Sequence, residues 1–158
     1  MEHPSCGSLV STYDVKNTTG GSALDQTLVA NAKTSLIVGL GGNDIIDLSA
    51  GGSQRLAYRA VDASDARGGN GSDTVKSFHV GNVLSDTQSD VIDLAGLLNG
   101  ATKATLSNFV TTAQSGSNTL LYVDRDGAGT AYSPTLLLTL ENVATTAQLL
   151  INNGQVIC

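Results

Sequence analysis

The sequence predicts a mainly β chain, made of very short strands and tight glycine turns with brief helices at most. Three observations carry that expectation. The 158 residues include 18 Gly, no Trp and only 8 Lys plus Arg, so long solvated helices lack their usual residues. β-Branched residues are frequent between the glycines, which favours pleated segments. From residue 35 to about 80, glycine-rich turns alternate with very short apolar pieces, the pattern of a coil that bends every few residues.

Taken in order, the first ~22 residues are polar and aperiodic, and Asn17-Thr18-Thr19-Gly20-Gly21 reads as a loop. Residues 1–34 therefore form an N-terminal polar segment, a loop or a first coil. Residues 35–80, opening with Ser35-Leu36-Ile37-Val38, form the turn-rich coil. Residues 81–158 change style and form a C-terminal cap. Asp93 before Leu94-Ala95-Gly96-Leu97-Leu98, with Asn99-Gly100 behind, suggests one helical turn with an N-cap and a glycine stop. Phe109 to Ala113 and Thr119 to Val123 read as strands around the turn Ser115-Gly116-Ser117-Asn118. Thr135 to Leu140 is a third, its leucines marking a buried strand. Thr145-Thr146-Ala147-Gln148 has the capping-box pattern, Thr145 at N-cap and Gln148 at N3, before a short helix ended by Gly154. Val156-Ile157 closes the chain as an apolar strand.

The formal charge of −6 argues against a nucleic-acid partner and suits cations as ligands. No run approaches the ~20 apolar residues of a membrane span. Met1 to Val10 has neither a positive nor an apolar region of the kind a Sec signal needs. Cys6 and Cys158 stand at opposite ends without metal-ligand company; a disulfide between them is conceivable, and two free thiols is the expectation. No HExxH, GxSxG, P-loop or Cys–His pairing is present, so no catalytic function is expected. His3 and His79 are far apart in sequence, and His79 reads as a strand-edge residue.

The informative pattern is the nonapeptide GGxGxDxUx, with U a large apolar residue. Gly68-Gly69-Asn70-Gly71-Ser72-Asp73-Thr74-Val75-Lys76 fits at every specified position. Gly39-Leu40-Gly41-Gly42-Asn43-Asp44-Ile45-Ile46-Asp47 has one departure, Leu40 for Gly. Gly51-Gly52-Ser53-Gln54-Arg55-Leu56-Ala57-Tyr58-Arg59 keeps the leading glycines and the apolar eighth residue but lacks the Asp. Glycines let such a turn face several carbonyls inward, the Asp adds a hard carboxylate, and an all-oxygen shell is what calcium takes. The apolar eighth residue points into the coil. One unit offers half a shell, so neighbouring coils must stack, and folding couples to the metal.

These residues resemble RTX repeats. With Tyr58 to Ser64, Phe78, Gly81, Asp90-Val91-Ile92-Asp93-Leu94, Tyr122 to Gly129 and Leu149 to Ile157, the chain resembles the type I secretion C-terminal target domain that ends large RTX adhesins. The resemblance implies a right-handed parallel β-roll over residues 35–80, then an antiparallel β cap with short helices. It implies calcium at Asp44 with Gly39, Gly41 and Gly42, and at Asp73 with Gly68, Asn70 and Gly71. It further implies secretion by a Sec-independent type I route. An uncleaved C-terminal signal would be read by an ABC transporter, membrane-fusion protein and outer-membrane channel. The isolated domain is expected to be a monomer. Leu40, Leu56 and Ser77 depart from the family pattern.

Two weaker constellations remain open. Asp124-Arg125-Asp126-Gly127-Ala128-Gly129 begins like an EF-hand, but Ala128 and Thr135 stand where ligands belong, leaving an acidic hairpin turn or an irregular calcium site on Asp124 and Asp126. Asp86, Asp90 and Asp93 either join a calcium site or face water. Two other functions fit the same residues: a stand-alone calcium-dependent surface or glycan-binding module, and the non-catalytic tail of a secreted hydrolase.

Overall fold

The structure is a computed structural model that describes residues 18–32, 36–62 and 65–158. It is mainly β, and its strands alternate between two sheets. β1 (Thr18–Gly20), β3 (Leu36–Val38), β5 (Arg55–Arg59), β7 (Val91–Gly96) and β11 (Val156–Ile157) lie side by side in one sheet, parallel throughout. In the other sheet, β2 (Thr27–Val29), β4 (Ile45–Asp47), β6 (Asp73–Lys76) and β10 (Thr135–Glu141) are parallel neighbours. The hairpin of β8 (Val110–Ser115) and β9 (Asn118–Val123) extends that sheet antiparallel to β10. Each pass of the chain thus adds one strand to each sheet. Thr18 lies beside Leu36 and Thr27 beside Ile45, so the first pass takes 18 residues.

Strands of three residues have one inward side chain each, and the register lines these up. Leu28, Ile46, Val75 and Leu140 form one apolar ladder. Ile37, Leu56, Ile92 and Val156 form the other, and both belong to a single core. The eighth residues of the three nonapeptides, Ile46, Tyr58 and Val75, are all buried. Burying each of the aliphatic ones is worth roughly 1.5–3 kcal/mol, which short strands with few ladder bonds require. Beyond β7, Leu97, Leu106, Leu121, Leu137 and Leu150 continue the core beneath the hairpin and α1 (Ala147–Asn152). Leu137 is the inserted residue of a register shift in β10 and is fully buried. Gly116, at φ 62°, turns the β8–β9 hairpin in two residues.

Several expectations are corrected. Thr18 to Gly20, read as part of a loop, is strand β1, because parallel pairing to β3 offers its backbone partners; Asn17 lies outside the described residues. The run after Asp93 is not a helix start. Val91–Gly96 is strand, held by β5 and β11 on either side, and Asp93 pairs with Arg55. One tight turn does follow, in which the Leu94 carbonyl accepts from the Leu97 and Leu98 N–H groups. Helix α1 begins one residue later than the capping box implies. Thr146 is its N-cap and accepts from the Leu149 N–H, whereas the Thr145 N–H is spent on Thr119. Both sheets run across residue 80 without a break, since β7, β10 and β11 join strands of the earlier coils. Cys158 is disulfide-bonded and is not a free thiol; Cys6 and His3 lie outside the described residues. Among the described residues, no helix is long and apolar enough to cross a membrane.

Leu40, the departure from the glycine pattern, takes the left-handed φ of 68°, and Gly69 holds φ 81° in the following turn. An L side chain pays about 1–2 kcal/mol for that conformation. Replacing Leu40 by Gly should raise unfolding free energy by about 1 kcal/mol in urea melts, since the side chain is only half buried.

Candidate metal centre

The turn from β3 to β4, Gly39 to Asp44, lies between the turn from β1 to β2 and the segment Gly68 to Asp73 that enters β6. The contact is backbone on backbone. A Cβ on Gly71 would overlap the Gly42 carbonyl, and one on Gly42 would lie 2.5 Å from the Leu24 carbonyl carbon. Gly41 sits between Ala23 and the Gly69 carbonyl in the same way.

Side chains at the entries to β2, β4 and β6 stitch these turns together. The Gln26 N–H donates to Asp44 Oδ1 at 2.9 Å, and the Asp44 N–H donates to Asp73 Oδ1 at 2.9 Å. One residue earlier the direction reverses. The Asn43 N–H donates to Asp25 Oδ1 at 2.7 Å, and the Ser72 N–H to Asn43 Oδ1 at 2.9 Å. Each side chain supplies an acceptor to a turn N–H that has no strand to pair with.

The register therefore places two carboxylates in adjacent coils, both about 1 % exposed. Their second oxygens differ. Asp73 Oδ2 accepts from the Tyr58 hydroxyl at 2.8 Å, whereas Asp44 Oδ2 is buried with no hydrogen-bond partner among the described residues. Both oxygens face the bare Cα of Gly39. A Cβ there would stand 2.7 Å from Asp44 Oδ2 and 3.5 Å from Asp73 Oδ2. Gly39 is thus required for space. Burial pushes the Asp73 carboxyl up to about 7; the Asp44 N–H and the Tyr58 hydroxyl oppose that, and the nearby Asp44 charge adds to it. Burial likewise raises Asp44, against the Gln26 N–H. Burial, then the charge of Asp73, holds the Tyr58 hydroxyl well above the usual phenol range. A buried, under-satisfied anionic pair is unfavourable as it stands and favourable around a cation.

The eight turn residues of the two expected calcium sets, one around Asp44 and one around Asp73, occupy different surroundings. Gly39, Asp44 and Asp73 meet at one point, and Gly41, Gly42 and Gly71 allow the stacking that brings them there. Gly68 packs instead against Ala60 and Leu97. The Asn70 amide is spent on the Arg59 carbonyl at 2.8 Å and on that of Arg67, pinning the loop before β6. Asp124 and Asp126 form a separate cluster in the β9–β10 loop. Asp124 Oδ1 accepts the Asp126 N–H at 3.3 Å, Asp126 Oδ2 accepts the Ala131 N–H at 2.9 Å, and Asp126 Oδ1 is buried without a hydrogen-bond partner among the described residues. Arg125, buried between them in sequence, lies 4.8 Å above the Tyr132 ring and donates to the Asp65 carbonyl. Asp86 is paired with the His79 ring at 2.8 Å and Asp93 with the Arg55 guanidinium, so protein side chains occupy both. Among the described residues, no group of three or more His, Cys, Asp or Glu gathers, so any metal would rely on the aspartate pair and on turn carbonyls.

Tyr58, Gln26, Asp25 and Asn43 are partners that the nonapeptide pattern does not reveal. An 18-residue comparison would have found three of them, since Gly21 to Leu28 repeats the spacing of Gly39 to Ile46.

No protein-family model matches the chain, and no curated protein matches it. Among solved structures, the chain is similar to the AlgE6R3 subunit of the Azotobacter vinelandii mannuronan C5-epimerase. Identity is 22 %, over 76 % of this chain and 71 % of that one, with a TM-score of 0.35.

The raised carboxyls set a pH dependence. Asp73 at about 7, and Asp90 held at about 6 by burial against the His79 and Gln54 N–H groups, bind protons in the folded chain that an unfolded carboxylate releases near 4. Their contribution is full below about 4 and is lost as pH rises through about 7. In EDTA, the melting temperature should therefore fall between pH 5 and pH 8, and Asp73→Asn should flatten the slope.

Proposed function

We propose that this chain is a calcium-binding module of the RTX β-roll type, folded by extracellular calcium and carrying the uncleaved type I secretion signal of a secreted bacterial protein, an adhesin. One observation carries the calcium reading. Two buried carboxylates from successive coils converge over Gly39, and one of their oxygens has no hydrogen-bond partner among the described residues. The donors at hand are all oxygen, two of them anionic, which suits a hard cation of Ca²⁺ type over softer metals. Asp44 and Asp73 would hold the ion, with carbonyls of the stacked turns completing its shell. Bound there, calcium supplies positive charge between two groups that otherwise repel.

The folding coupling follows from the same geometry. Without the ion, closing the turns buries two carboxylates together; with it, the closing becomes favourable. Extracellular sites of ~10⁻⁴ to 10⁻³ M affinity fill outside a cell and stay empty in a calcium-poor cytoplasm. A chain rich in glycine stays threadable until then. The export partners would be an ABC transporter, a membrane-fusion protein and an outer-membrane channel, and the destination the cell surface or medium. The disulfide at Cys158 suits an oxidising compartment. No catalytic role is proposed.

Thermal unfolding in EDTA and in calcium tests the metal. Calcium at a hundredfold its dissociation constant should add about 2.7 kcal/mol of stability. Magnesium should do far less, and Asp44→Asn should abolish most of the gain while leaving the EDTA melt unchanged or higher. Equal melts in EDTA and calcium would rule the site out. For export, a reporter fused ahead of residue 18 should reach the medium when a type I exporter is co-expressed. Removal of residues 145–158 should retain it in the cell.

A further inference from the structure

The opposite edge of the paired sheets is built on the same plan with different chemistry. Gln54, Asp90 and Gln155 precede β5, β7 and β11, as Gln26, Asp44 and Asp73 stand at the entry to the even strands. All three are about 1 % exposed or less. The Gln54 N–H donates to Asp90 Oδ1 at 2.8 Å, the same stitch that joins Gln26 to Asp44. Here, however, no carboxylate oxygen is left over, because Asp90 Oδ2 accepts the His79 N–H at 2.8 Å.

The turn carbonyls on this edge are met by side-chain amides. Gln54 Nε2 donates to the Asn31 and Gly51 carbonyls, both at 2.8 Å. Gln155 Nε2 donates to the His79 carbonyl at 2.8 Å and the Asp90 carbonyl at 2.9 Å, while its Oε1 accepts the Gly81 N–H at 3.1 Å. One NH₂ group therefore gathers two carbonyls, for Gln54 from neighbouring turns and for Gln155 from the two ends of the β6–β7 connection, which is the electrostatic task a bound cation performs, without bringing a net charge.

We propose that the carboxamides of Gln54 and Gln155 stand in for a cation on this edge, so that it closes without metal while the Asp44–Asp73 edge waits for one. The proposal rests on the reading of Asp44 and Asp73 as a cation site. The residue before each strand then decides whether an interval between coils is filled from solution or by the chain, and the last strand, β11, docks under metal-free conditions.

Changing the amide to a carboxylate tests this directly in the full chain. Gln155→Glu removes both donors and sets a carboxylate among the His79 and Asp90 carbonyls. It should melt well below the unaltered protein in EDTA, recover in millimolar calcium, and bind one more calcium ion per chain by titration calorimetry. Gln155→Met should melt lower by the same amount with and without calcium, with unchanged stoichiometry. An unchanged stoichiometry in Gln155→Glu, or a failure to fold in either condition while Gln155→Met folds, would overturn the proposal. If neither folds, Gln54→Glu and Gln54→Met decide by the same criteria. Absence of calcium binding by the unaltered protein would sink the first site alone, because the ion gained by Gln155→Glu is scored separately.

Discussion

Backbone-to-backbone contact between successive turns is the constraint on which the rest depends. Strands of three residues make few ladder bonds, and an isolated pair of this length is not stable in water. What holds them in register is the column of turns beside them, where glycine lets carbonyl meet Cα and a side-chain acceptor takes each turn N–H. Gly42 against Leu24 and Gly71 against Gly42 fix the spacing; Asp44 and Asp73 then lock it. The apolar ladders inside follow from that register. A slip of one residue would turn Ile46 and Val75 outward together.

The same contact explains why the site is anionic and buried. Closely stacked turns cover the residue that enters each strand, so a carboxylate there is buried as a consequence of the fold. Asp73 meets its cost with the Asp44 N–H and Tyr58, whereas Asp44 has one oxygen unmet. Tyr58 belongs to the other sheet and reaches across the core, so the edge that carries Asp44 and Asp73 and the odd-numbered strands are coupled through its hydroxyl. Loss of order at Asp73 would reach β5 by that route.

Much of this was legible in the residues. The nonapeptide spacing predicts turns at 39–44 and 68–73, and the buried positions of Ile46, Tyr58 and Val75 agree with it. The hairpin around Gly116 and the β10 strand were equally readable, because turn and strand signals there agree locally. What was not legible depends on partners distant in sequence. Thr18 to Gly20 has a loop's composition and becomes a strand because β3 is beside it. Leu94 to Leu98 has helical character, but its first half continues strand β7 beside β5. Within the site, Asp44 and Asp73 could be named from spacing. The bonds of the Asn70 amide to the Arg59 and Arg67 carbonyls could not, because they depend on how β5 and β6 are brought together.

The closing strand has a temporal meaning as well as a spatial one. Val156 and Ile157 pair with Ile92 and Asp93, and β10 pairs with β6 across the whole hairpin insertion, so these contacts are among the least local in the chain. Nonlocal pairings form late, after the loops they enclose have closed. Until β7 and β6 are in place, β11 and β10 have no parallel neighbour to join, so the order in which partner strands become available sets the order of assembly.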